Sequence, residues 1–462
     1  MRMTPIPMPP DKPRITRMLA QRVVPELAAL WLVELLALFL ALHILQTIGA
    51  WDVSTPLATR AESMNRAAII ASIMGFTSLS IGLYRADTCT DSRRLVIAAI
   101  LASVVGGVVI YTVAPMLAGQ GRIAPSHLLA APVLWLIFLL FFRATLGNLL
   151  RQRLFGRRVM VVGDGPRAAN LARAIEDRRG DQFNVIEGGP DATALAPASL
   201  RAQRIWAVVV AEDSPAKLTV RATQACQRAG VRIYDDSGFW EQQLGRIDLN
   251  HTDPIWFALP ESGIRAKVEA IVRRLSDIAI SLVLVALTLP VMLATAIAIR
   301  LDTRGPVFYR QTRVGLHGRN FTLLKFRSMR VDAEAGGKPR WATQNDPRTT
   351  RVGNIIRLSR IDELPQLFNV LRGEMSFIGP RPERPEFVGE LAAAIPLYPH
   401  RACVKPGITG WAQVSYPYGA SVDDARQKLS YDLYYIKYRS LLLDLLILLA
   451  TVRVILFREG SR

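Results

Sequence analysis

The stretch IAISLVLVALTLPVMLATAIAI, residues 278–299, is an apolar run long enough to cross a bilayer, and Pro290 lies near its middle. Arginines flank the run on both sides, at Arg273, Arg274, Arg300 and Arg304. Because positive charge marks the cytoplasmic side of a membrane segment, both ends are predicted to be cytoplasmic. Proline interrupts a helix by removing a hydrogen bond and crowding the preceding turn. We therefore predict a re-entrant helix that bends at Pro290 and returns to the cytoplasmic side. The alternative is a helix that crosses the membrane, as a fifth span of the chain, with a kink at Pro290 that does not change its path.

Four earlier apolar stretches also approach spanning length, at Val24–Ile48, Ala67–Leu83, Leu95–Leu117 and Leu128–Phe142. Basic residues gather before the first stretch, between the second and third, and after the fourth, whereas the loops 49–66 and 118–127 carry few. This alternation predicts a four-helix transmembrane bundle over residues 1–150 with both ends in the cytoplasm. Ionisable groups are costly inside a membrane, so Glu34 in the first stretch is a candidate functional residue.

Residues 151–262 have the pattern of a soluble, Rossmann-like α/β domain, in which short apolar runs alternate with helical segments. Gly163, Gly165 and Ala168 fit the G-x-G-x-x-A fingerprint of a dinucleotide site, and Glu187 is the candidate ribose-binding acid. The favoured alternative is a domain whose glycines serve only the tight turn. The sequence therefore predicts a small parallel sheet and leaves its ligand open.

Composition and charge narrow the class of protein. The 462 residues are 50% hydrophobic and carry a formal net charge of +19. That charge suits phosphorylated substrates, anionic lipid or nucleic acid, but the sequence has neither a zinc knuckle nor an aromatic stretch of the RNP type. We expect a multi-domain membrane protein whose partners are membrane lipid and phosphorylated compounds, and no nucleic acid.

An adjacent acidic pair, Asp362 and Glu363, lies in RIDELPQLFNVLRGEMSFIGPRP, residues 360–382. If Asp362 caps a helix, Pro365 falls in the first turn, where its missing N–H breaks no hydrogen bond. The helix dipole then favours an ionised Asp362, ready to attack or to bind metal. Glu363 points about 100° away around the axis, so one carboxylate can face a phosphorus and the other a cation. A capping Asp beside a solvated Glu is the alternative for an isolated pair.

Basic and amide side chains surround this pair in glycine- and proline-rich motifs, at Gln311, Arg313, Lys325, Arg327, Arg357 and Arg381. Guanidinium groups match phosphate oxygens with two parallel hydrogen bonds. Several of them around an acidic pair predict a polyphosphate site whose Mg²⁺ is held by Asp362 and Glu363.

The blocks GPVFYRQTRVG, LLKFRSM, DELPQLFNVLRGEMSFIGPRP, PGITGWAQV and YDLYYIKYRSLLLDLLIL resemble, in order, the signature blocks of the bacterial sugar transferases. These are polyprenol-phosphate hexose-1-phosphate transferases of exopolysaccharide and O-antigen synthesis. The resemblance implies an α-rich catalytic domain over residues 263–462 on the cytoplasmic face of the bacterial inner membrane. It also implies transfer of a hexose 1-phosphate from a UDP-sugar to undecaprenyl phosphate, with release of UMP. The layout before residue 263 is similar to that of the long, membrane-integral members.

The resemblance further implies residue roles. Asp362 takes the nucleophile position and forms an aspartyl-phosphosugar intermediate, while Glu363, with Asp362, takes the Mg²⁺-binding position. Arg381 is the candidate near the nucleotide. Candidates for diphosphate or polyprenyl-phosphate contacts are Lys325, Arg327 and Arg357, and residues that either bind substrate or brace the fold are Gln311 and Arg313. Minimal members often have Ser-Pro where this chain has Leu289-Pro290, so Thr288 is expected to bond the carbonyl that the proline frees.

Two other functions are weighed against this one. A membrane-anchored nucleotide-sugar oxidoreductase or epimerase needs a working cofactor site at Gly163–Ala168, and the sequence lacks a convincing Tyr-x-x-x-Lys partner. A non-enzymatic polysaccharide-export scaffold leaves the acidic pair unexplained. The sequence leaves open the sugar, with glucose expected first and galactose second, and the polymer that the product feeds. It also leaves open whether the chain forms a homo-oligomer; downstream glycosyltransferases are further expected partners.

Overall fold

The computed structural model describes residues 25–48, 60–84, 88, 92–117, 125–154, 157–176, 183–188, 197–211, 220–253, 263–331, 333, 346–416, 419 and 421–456. These residues divide into two compact units, with the boundary between Leu244 and Gly245. The basic residues predicted before the first apolar stretch, and the loops at 49–59 and 118–124, lie outside the described residues.

The first unit begins with four long helices that pack side by side: α1 (Pro25–Ile48), α2 (Arg60–Ile81), α3 (Ser92–Leu117) and α4 (Pro125–Leu154). Each covers most or all of one predicted apolar stretch. Among the described residues, Met64–Ile81 and Leu95–Thr112 are long and apolar enough to cross a membrane, whereas Ala29–Leu45 and Leu129–Thr145 are shorter apolar segments. Large apolar side chains such as Val108 of α3 face outward, which suits a lipid environment better than water.

The same unit contains the predicted parallel sheet. Its strands are β1 (Arg157–Val162), β2 (Phe183–Gly188), β3 (Ile205–Val210) and β4 (Arg232–Asp235), in the order β2-β1-β3-β4. Its helices are α5 (Pro166–Glu176), α6 (Pro197–Ala202), α7 (Val220–Ala229) and α8 (Asp236–Phe239), and a π-helical turn spans Trp240–Leu244. Val159 and Val161 of β1 pack into one core and Met160 and Val162 into another, so both faces of the sheet are covered. The prediction of a small parallel sheet is confirmed.

The glycine fingerprint lies at the carboxyl end of β1. Gly163 has φ of 138°, a region that favours glycine, and Ala168 is buried where α5 meets the sheet. Arg167 in the first turn of α5 donates to both carboxylate oxygens of Asp236, over 2.6 and 3.1 Å. Glu187 lies in β2, but its side chain is outside the described ones. Gly163 therefore has a conformational reason to be glycine, whatever ligand this domain binds.

The second unit is built around α9 (Ile264–Asp302), a helix of 39 residues. A hairpin of β5 (Phe308–Val314) and β6 (Asn320–Phe326) follows, and a short parallel pair joins β7 (Ser376–Ile378) to β8 (Gly407–Thr409). The remaining helices are α10 (Arg351–Leu358), α11 (Gln366–Arg372), α12 (Pro385–Ala394), α13 (Trp411–Ser415), α14 (Val422–Tyr438) and α15 (Leu441–Leu456).

Helix α9 contains a third segment long and apolar enough to span a membrane, Ala266–Asp302. The helix is continuous across Pro290, and the re-entrant path stays a prediction. The hydroxyl of Thr288 donates to the Leu284 carbonyl over 2.7 Å, whereas the carbonyl deprived of its donor by a proline at 290 is that of Ala286. The predicted role of Thr288 is therefore wrong, because its side chain reaches back four residues to a different carbonyl.

Polar side chains of α9 hold the elements that surround the acidic pair. Arg274 donates to the carbonyls of Val370 and Leu371 in the last turn of α11, over 2.6 and 2.8 Å. Asp277 accepts from the backbone N–H of Phe377 in β7 over 2.8 Å. Carbonyls at a helix end have no partner within the helix, so Arg274 supplies a cap for α11. The long helix thereby sets the position of the short helix that follows the acidic pair.

Candidate active site

The acidic pair lies in a tight turn ahead of α11. Arg360 has φ of 60° and ψ of 12°, a left-handed conformation that is rare for a residue with a side chain. Ile361–Glu363 then form one turn of 3₁₀-helix, and Pro365 directly precedes α11. The predicted N-cap role of Asp362 is therefore wrong. Pro365 has no N–H to continue an α-helical ladder, so the chain makes tighter bonds around it and the regular helix begins one residue later.

Glu363 is surrounded by cations from three parts of the chain. Its Oε1 atom lies 2.6 Å from Arg381 Nη2, 3.0 Å from Lys325 Nζ and 3.9 Å from Arg360 Nη1. Only 12% of its side chain is exposed. Burial favours the protonated acid, but the charges of Arg381 and Lys325 outweigh it and hold the pKa of Glu363 well below its usual range. Glu363 is therefore an ionised, charge-compensated carboxylate.

Asp362 has a different environment although it is the next residue. It is buried, with 9% of its surface exposed, and no side chain or backbone N–H of the described residues donates a hydrogen bond to its carboxylate. Burial raises the pKa of Asp362, the nearby charge of Lys325 opposes that shift, and the Glu363 charge adds to it. The prediction that a helix dipole favours the ionised form does not hold, because burial is the larger effect. The lone pairs of Asp362 are left for an incoming group.

The predicted residues of the hairpin brace the segment that carries Arg381. Tyr309, Gln311 and Arg313 alternate along β5 and so share one face of the strand. Gln311 Nε2 donates to Tyr309 Oη over 2.9 Å, and Arg313 Nε donates to Gln311 Oε1 over 2.8 Å. Arg313 Nη1 donates to the Pro382 carbonyl over 2.9 Å. These contacts favour the bracing role of Gln311 and Arg313, and because both also line the cavity, substrate binding by them stays a prediction.

Arg327 and Arg357 form their hydrogen bonds with residues other than the acidic pair. Arg327 donates to the carbonyls of Arg304 and Thr303, over 2.9 and 2.7 Å, and so caps the end of α9. Arg357 on α10 donates to Thr349 Oγ1 over 3.1 Å. Both have protein partners, and neither contacts Asp362 or Glu363 through a described hydrogen bond.

All eight predicted site residues line one cavity of about 1040 Å³, together with apolar side chains that include Leu284 of α9 and Phe387 of α12. The predicted residues are Gln311, Arg313, Lys325, Arg327, Arg357, Asp362, Glu363 and Arg381. A concave space of this size with a few polar groups among apolar walls is typical of a ligand site. The structure therefore brings together residues that are up to 70 positions apart in the sequence.

Close backbone packing holds the loop that carries Arg381. Strand β7 pairs with β8, and the N–H groups of Gly379 and Gly407 donate to the carbonyls of Thr409 and Pro380, each over 2.9 Å. A side chain at Gly379 would place its Cβ only 2.3 Å from the Lys405 carbonyl oxygen. Glycine is required here because nothing larger fits between the two segments. This contact joins the GPRP and PGITG motifs in the folded chain.

Sequence reasoning missed further polar residues of the cavity wall, among them Tyr398, Arg401, Lys428 and Asp432. Arg401 precedes the PGITG block and Asp432 lies within the YDLYY block, so their motif positions were the available signal. Arg401 Nε donates to Asp432 Oδ2 over 2.9 Å, and both side chains are largely buried. This pair becomes visible only once the chain is folded.

The side chains available as metal ligands limit the kind of metal site that this cavity can form. Among the described residues, no group of three or more His, Cys, Asp or Glu side chains could hold a metal ion. Magnesium bound together with a diphosphate needs only one or two protein carboxylates, because phosphate oxygens and water complete its shell. Asp362 and Glu363 fit that kind of shared site, with Asp362 offering the oxygens that have no protein donor.

Comparison with known proteins agrees with these sequence blocks. The bacterial sugar transferase family model matches residues 268–458. The UDP-N-acetylgalactosamine-undecaprenyl-phosphate N-acetylgalactosaminephosphotransferase of Aeromonas hydrophila is 43% identical over 267 residues, which are 57% of this chain and 62% of the relative. The undecaprenyl-phosphate glucose phosphotransferase of Komagataeibacter xylinus is 32% identical over 357 residues, 71% of this chain and 66% of the relative.

A third relative is covered more completely. The UDP-glucose:undecaprenyl-phosphate glucose-1-phosphate transferase of Caulobacter vibrioides is 44% identical over 191 residues, 41% of this chain and 71% of the relative. The chain belongs to the bacterial sugar transferase family, which confirms the resemblance of the motifs. It spans slightly less than two thirds of the length of the Aeromonas and Komagataeibacter proteins.

Proposed function

We propose that this chain transfers a hexose 1-phosphate from a UDP-sugar to undecaprenyl phosphate, producing undecaprenyl diphosphate-sugar and UMP. The observation that carries the proposal is the asymmetric acidic pair in the cavity. Asp362 has no hydrogen-bond donor among the described residues, while Glu363 is paired with Lys325 and Arg381. An unpartnered carboxylate beside fixed cations suits attack on a phosphorus atom whose oxygens are negatively charged. The names of three relatives give the same class of reaction.

The reaction is proposed to proceed in two displacements. An Asp362 oxygen forms a bond to the phosphorus that carries the sugar, and the bond from that phosphorus to the bridging oxygen breaks, so UMP leaves with the electron pair. A phosphate oxygen of undecaprenyl phosphate then attacks the same phosphorus, and the bond to Asp362 breaks to restore the carboxylate. Charge builds on phosphate oxygens in both steps, and Lys325 and Arg381 are positioned to neutralise it.

Mg²⁺ is the proposed cofactor, held by Asp362 and Glu363 together with the diphosphate of the sugar donor. When bound, it would neutralise phosphate charge and orient the leaving group. The cations already paired with Glu363 keep that carboxylate ionised, which is the form a metal requires.

We also propose that α1 to α4 form a transmembrane bundle and that α9 enters and leaves the inner membrane on the cytoplasmic side. Outward-facing side chains of α9, including Leu287 and Ile297, are apolar and exposed. Leu284 of the same helix lines the cavity, so an acceptor phosphate at the headgroup level can reach Asp362 from the lipid. The arginines at both ends of the apolar run agree with this topology.

Single cysteines at Ser276 and Arg304, two exposed positions on either side of the apolar run, test this topology. In a cysteine-free background, Ser276→Cys and Arg304→Cys should both resist a membrane-impermeant thiol reagent on intact cells and react in inverted vesicles. Labelling of Arg304→Cys from outside intact cells would show that α9 crosses the membrane.

Release of UMP tests the chemistry. Purified protein in nanodiscs is incubated with undecaprenyl phosphate, Mg²⁺ and, in turn, UDP-glucose, UDP-galactose and UDP-N-acetylgalactosamine. We expect UMP with one of these donors, glucose first, and release beyond one UMP per enzyme only when undecaprenyl phosphate is present to take the sugar phosphate from Asp362. Release of UDP in place of UMP would indicate transfer of the sugar alone and would overturn the proposal, as would the absence of both products.

A further inference from the structure

The loop that carries Arg381 is held by two arginines from outside it. Arg401 Nη2 donates to the carbonyl of Arg381 over 3.0 Å, and Arg313 Nη1 donates to the carbonyl of Pro382 over 2.9 Å. Two consecutive carbonyls are thus each bound by a guanidinium. The neighbouring Pro380 and Pro382 have no N–H, so this loop has few donors of its own with which to tie down its backbone. The two guanidinium groups supply that restraint.

Each of the two arginines is itself fixed at its other nitrogens. Arg401 Nε donates to the buried Asp432 over 2.9 Å and Nη1 to Tyr398 Oη over 2.6 Å. Arg313 Nε donates to Gln311 Oε1 over 2.8 Å. A guanidinium presents its donors in a rigid plane, so fixing one edge determines where the other edge points. Asp432 lies on α14 and Gln311 on β5, and the loop is therefore held between two separate elements.

We propose that Arg401 and Arg313 form a carbonyl clamp, a pair of positioning residues that holds the backbone of Arg381 so that its guanidinium stays against Glu363. The inference rests on the proposed transfer reaction, in which Arg381 neutralises phosphate charge. Arg381 Nη2 lies 2.6 Å from Glu363 Oε1, so its side chain is fixed at one end by the acid and at the other by the clamp. Displacement of a positioned group by about 1 Å can lower a rate a hundredfold.

A purely structural role is the competing explanation for the Arg401–Asp432 pair. Buried ion pairs contribute little net stability, because desolvation offsets their attraction. A pair kept only to join α14 to the turn at Tyr398–Cys403 would not need a third contact with the Arg381 carbonyl. The contact with the Arg381 carbonyl distinguishes the two explanations. A positioning residue must act through Arg381, whereas a purely structural pair need not touch it.

A double-variant cycle tests this. Arg401→Lys keeps the charge beside Asp432 but cannot reach three acceptors at once. We expect it to lower kcat for UMP release by about tenfold while KM for the UDP-sugar changes less than about threefold. In an Arg381→Lys background the same change should cost less than about twofold, because the group it positions is already altered. Arg313→Lys should behave in the same way.

Arg246→Lys is the matched control. Arg246 is buried and also contacts α14, where its Nη1 atom donates to Gln427 Oε1 over 2.7 Å, but it is not part of the cavity wall. Its effect on kcat should be small, and any effect should add to that of Arg381→Lys. Additive losses for Arg401→Lys and Arg313→Lys as well would overturn the clamp.

Hydrogen exchange of residues 376–388 gives a readout that does not depend on turnover. Arg401→Lys should exchange faster than parent in this segment, and Arg246→Lys should not. Unchanged exchange in Arg401→Lys would overturn the clamp whether or not the parent releases UMP, whereas a parent that releases no UMP but shows the faster exchange contradicts only the proposed reaction. If Arg401→Lys fails to fold, Arg313→Lys on the opposite side decides the same question.

Discussion

Two glutamates, the buried Glu34 in one unit and the largely buried Glu363 in the other, illustrate what distinguishes a reaction site from a structural ion pair. Glu34 of α1 is fully buried, accepts a hydrogen bond from Tyr84 and lies 3.5 Å from Arg143 Nε of α4. The Arg143 guanidinium also lies over the Tyr84 ring at 4.9 Å. Glu363 has cationic neighbours in a similar way, yet it lines a large cavity, and the aspartate beside it receives no hydrogen bond from any residue that the structure describes. Burial with a paired charge does not by itself mark a site.

The balance of charge separates the two clusters more clearly. Around Glu34, one arginine faces one carboxylate, so the cluster is close to neutral. Around the acidic pair, three cations lie within 4 Å of a single carboxylate, that of Glu363: Lys325, Arg360 and Arg381. Three cations against two carboxylates leave positive charge for an anionic ligand. We infer that Glu34 joins helices α1 and α4 with the segment after α2, whereas the second cluster is arranged to receive phosphate.

Asp362→Asn should have the largest effect on transfer. An amide cannot form the bond to phosphorus, so we expect UMP release to fall by about three orders of magnitude or more. Asp362 receives no hydrogen bond from the described residues, so the unfolding temperature should change little. Turnover near the parent rate by a well-folded variant would show that Asp362 is not the nucleophile. The proposed difference between this site and the Glu34 cluster would then lose its basis.

Glu363→Gln should rank second. It leaves Lys325 and Arg381 without their counter-charge, and because 37% of the Arg381 side chain is exposed, the loss of stability should be smaller than the roughly 3–5 kcal/mol typical of a fully buried pair. It also removes a carboxylate proposed to share Mg²⁺, so activity should fall and recover in part at high Mg²⁺. The measurements are thermal unfolding and a Mg²⁺ titration of UMP release; equal Mg²⁺ dependence in variant and parent would count against the metal role.

Glu34→Gln is the matched change in the first unit. It leaves Arg143 buried without its carboxylate, and because both side chains are almost fully buried, we expect a loss of stability at least as large as that of Glu363→Gln. Transfer by the protein that remains folded should stay within about twofold of the parent, because Glu34 is not part of the cavity wall. A large fall in kcat without a change in unfolding temperature would instead assign Glu34 a functional role.

The pH dependence of transfer should show the smallest effect. Attack requires ionised Asp362, and burial raises its pKa, so activity should fall on acidification at a higher pH than an ordinary aspartate would give. Lys325 lowers the pKa of Asp362, and Lys325→Met should therefore move the acid limb of the kcat profile further toward neutral pH. A shift toward lower pH in Lys325→Met would contradict the assigned coupling.

The unit boundary refines a prediction about truncation. Starting a shortened chain near Gly263 would remove residues 245–253, in which the Gly245 carbonyl accepts from Trp411 Nε1 over 2.9 Å and Ile247 N–H donates to the Ser430 carbonyl over 3.1 Å. A chain starting at Gly245 should therefore be more stable than one starting at Gly263. Both should transfer sugar phosphate when folded, because every residue of the cavity wall lies after position 263.

The sequence by itself determined the local features of this protein. Apolar run lengths placed the long helices, alternation of strands and helices predicted the parallel sheet, and the ordered motifs led to the family. These signals are readable because they depend on neighbours a few residues apart, where backbone geometry sets the period. The adjacency of Asp362 and Glu363 can also be read directly from the sequence, and it indicated which segment of the chain lines the cavity.

Only the tertiary structure decided how the charges are shared. Lys325 and Arg381 meet Glu363 across 38 and 18 residues of chain, and Arg401 meets Asp432 across 31. The same sequence blocks also contain Arg327, which caps α9 and does not contact the acidic pair. Which arginine binds a helix end and which faces a carboxylate depends on where the folded chain brings each side chain, and on how burial there strengthens one pairing over another.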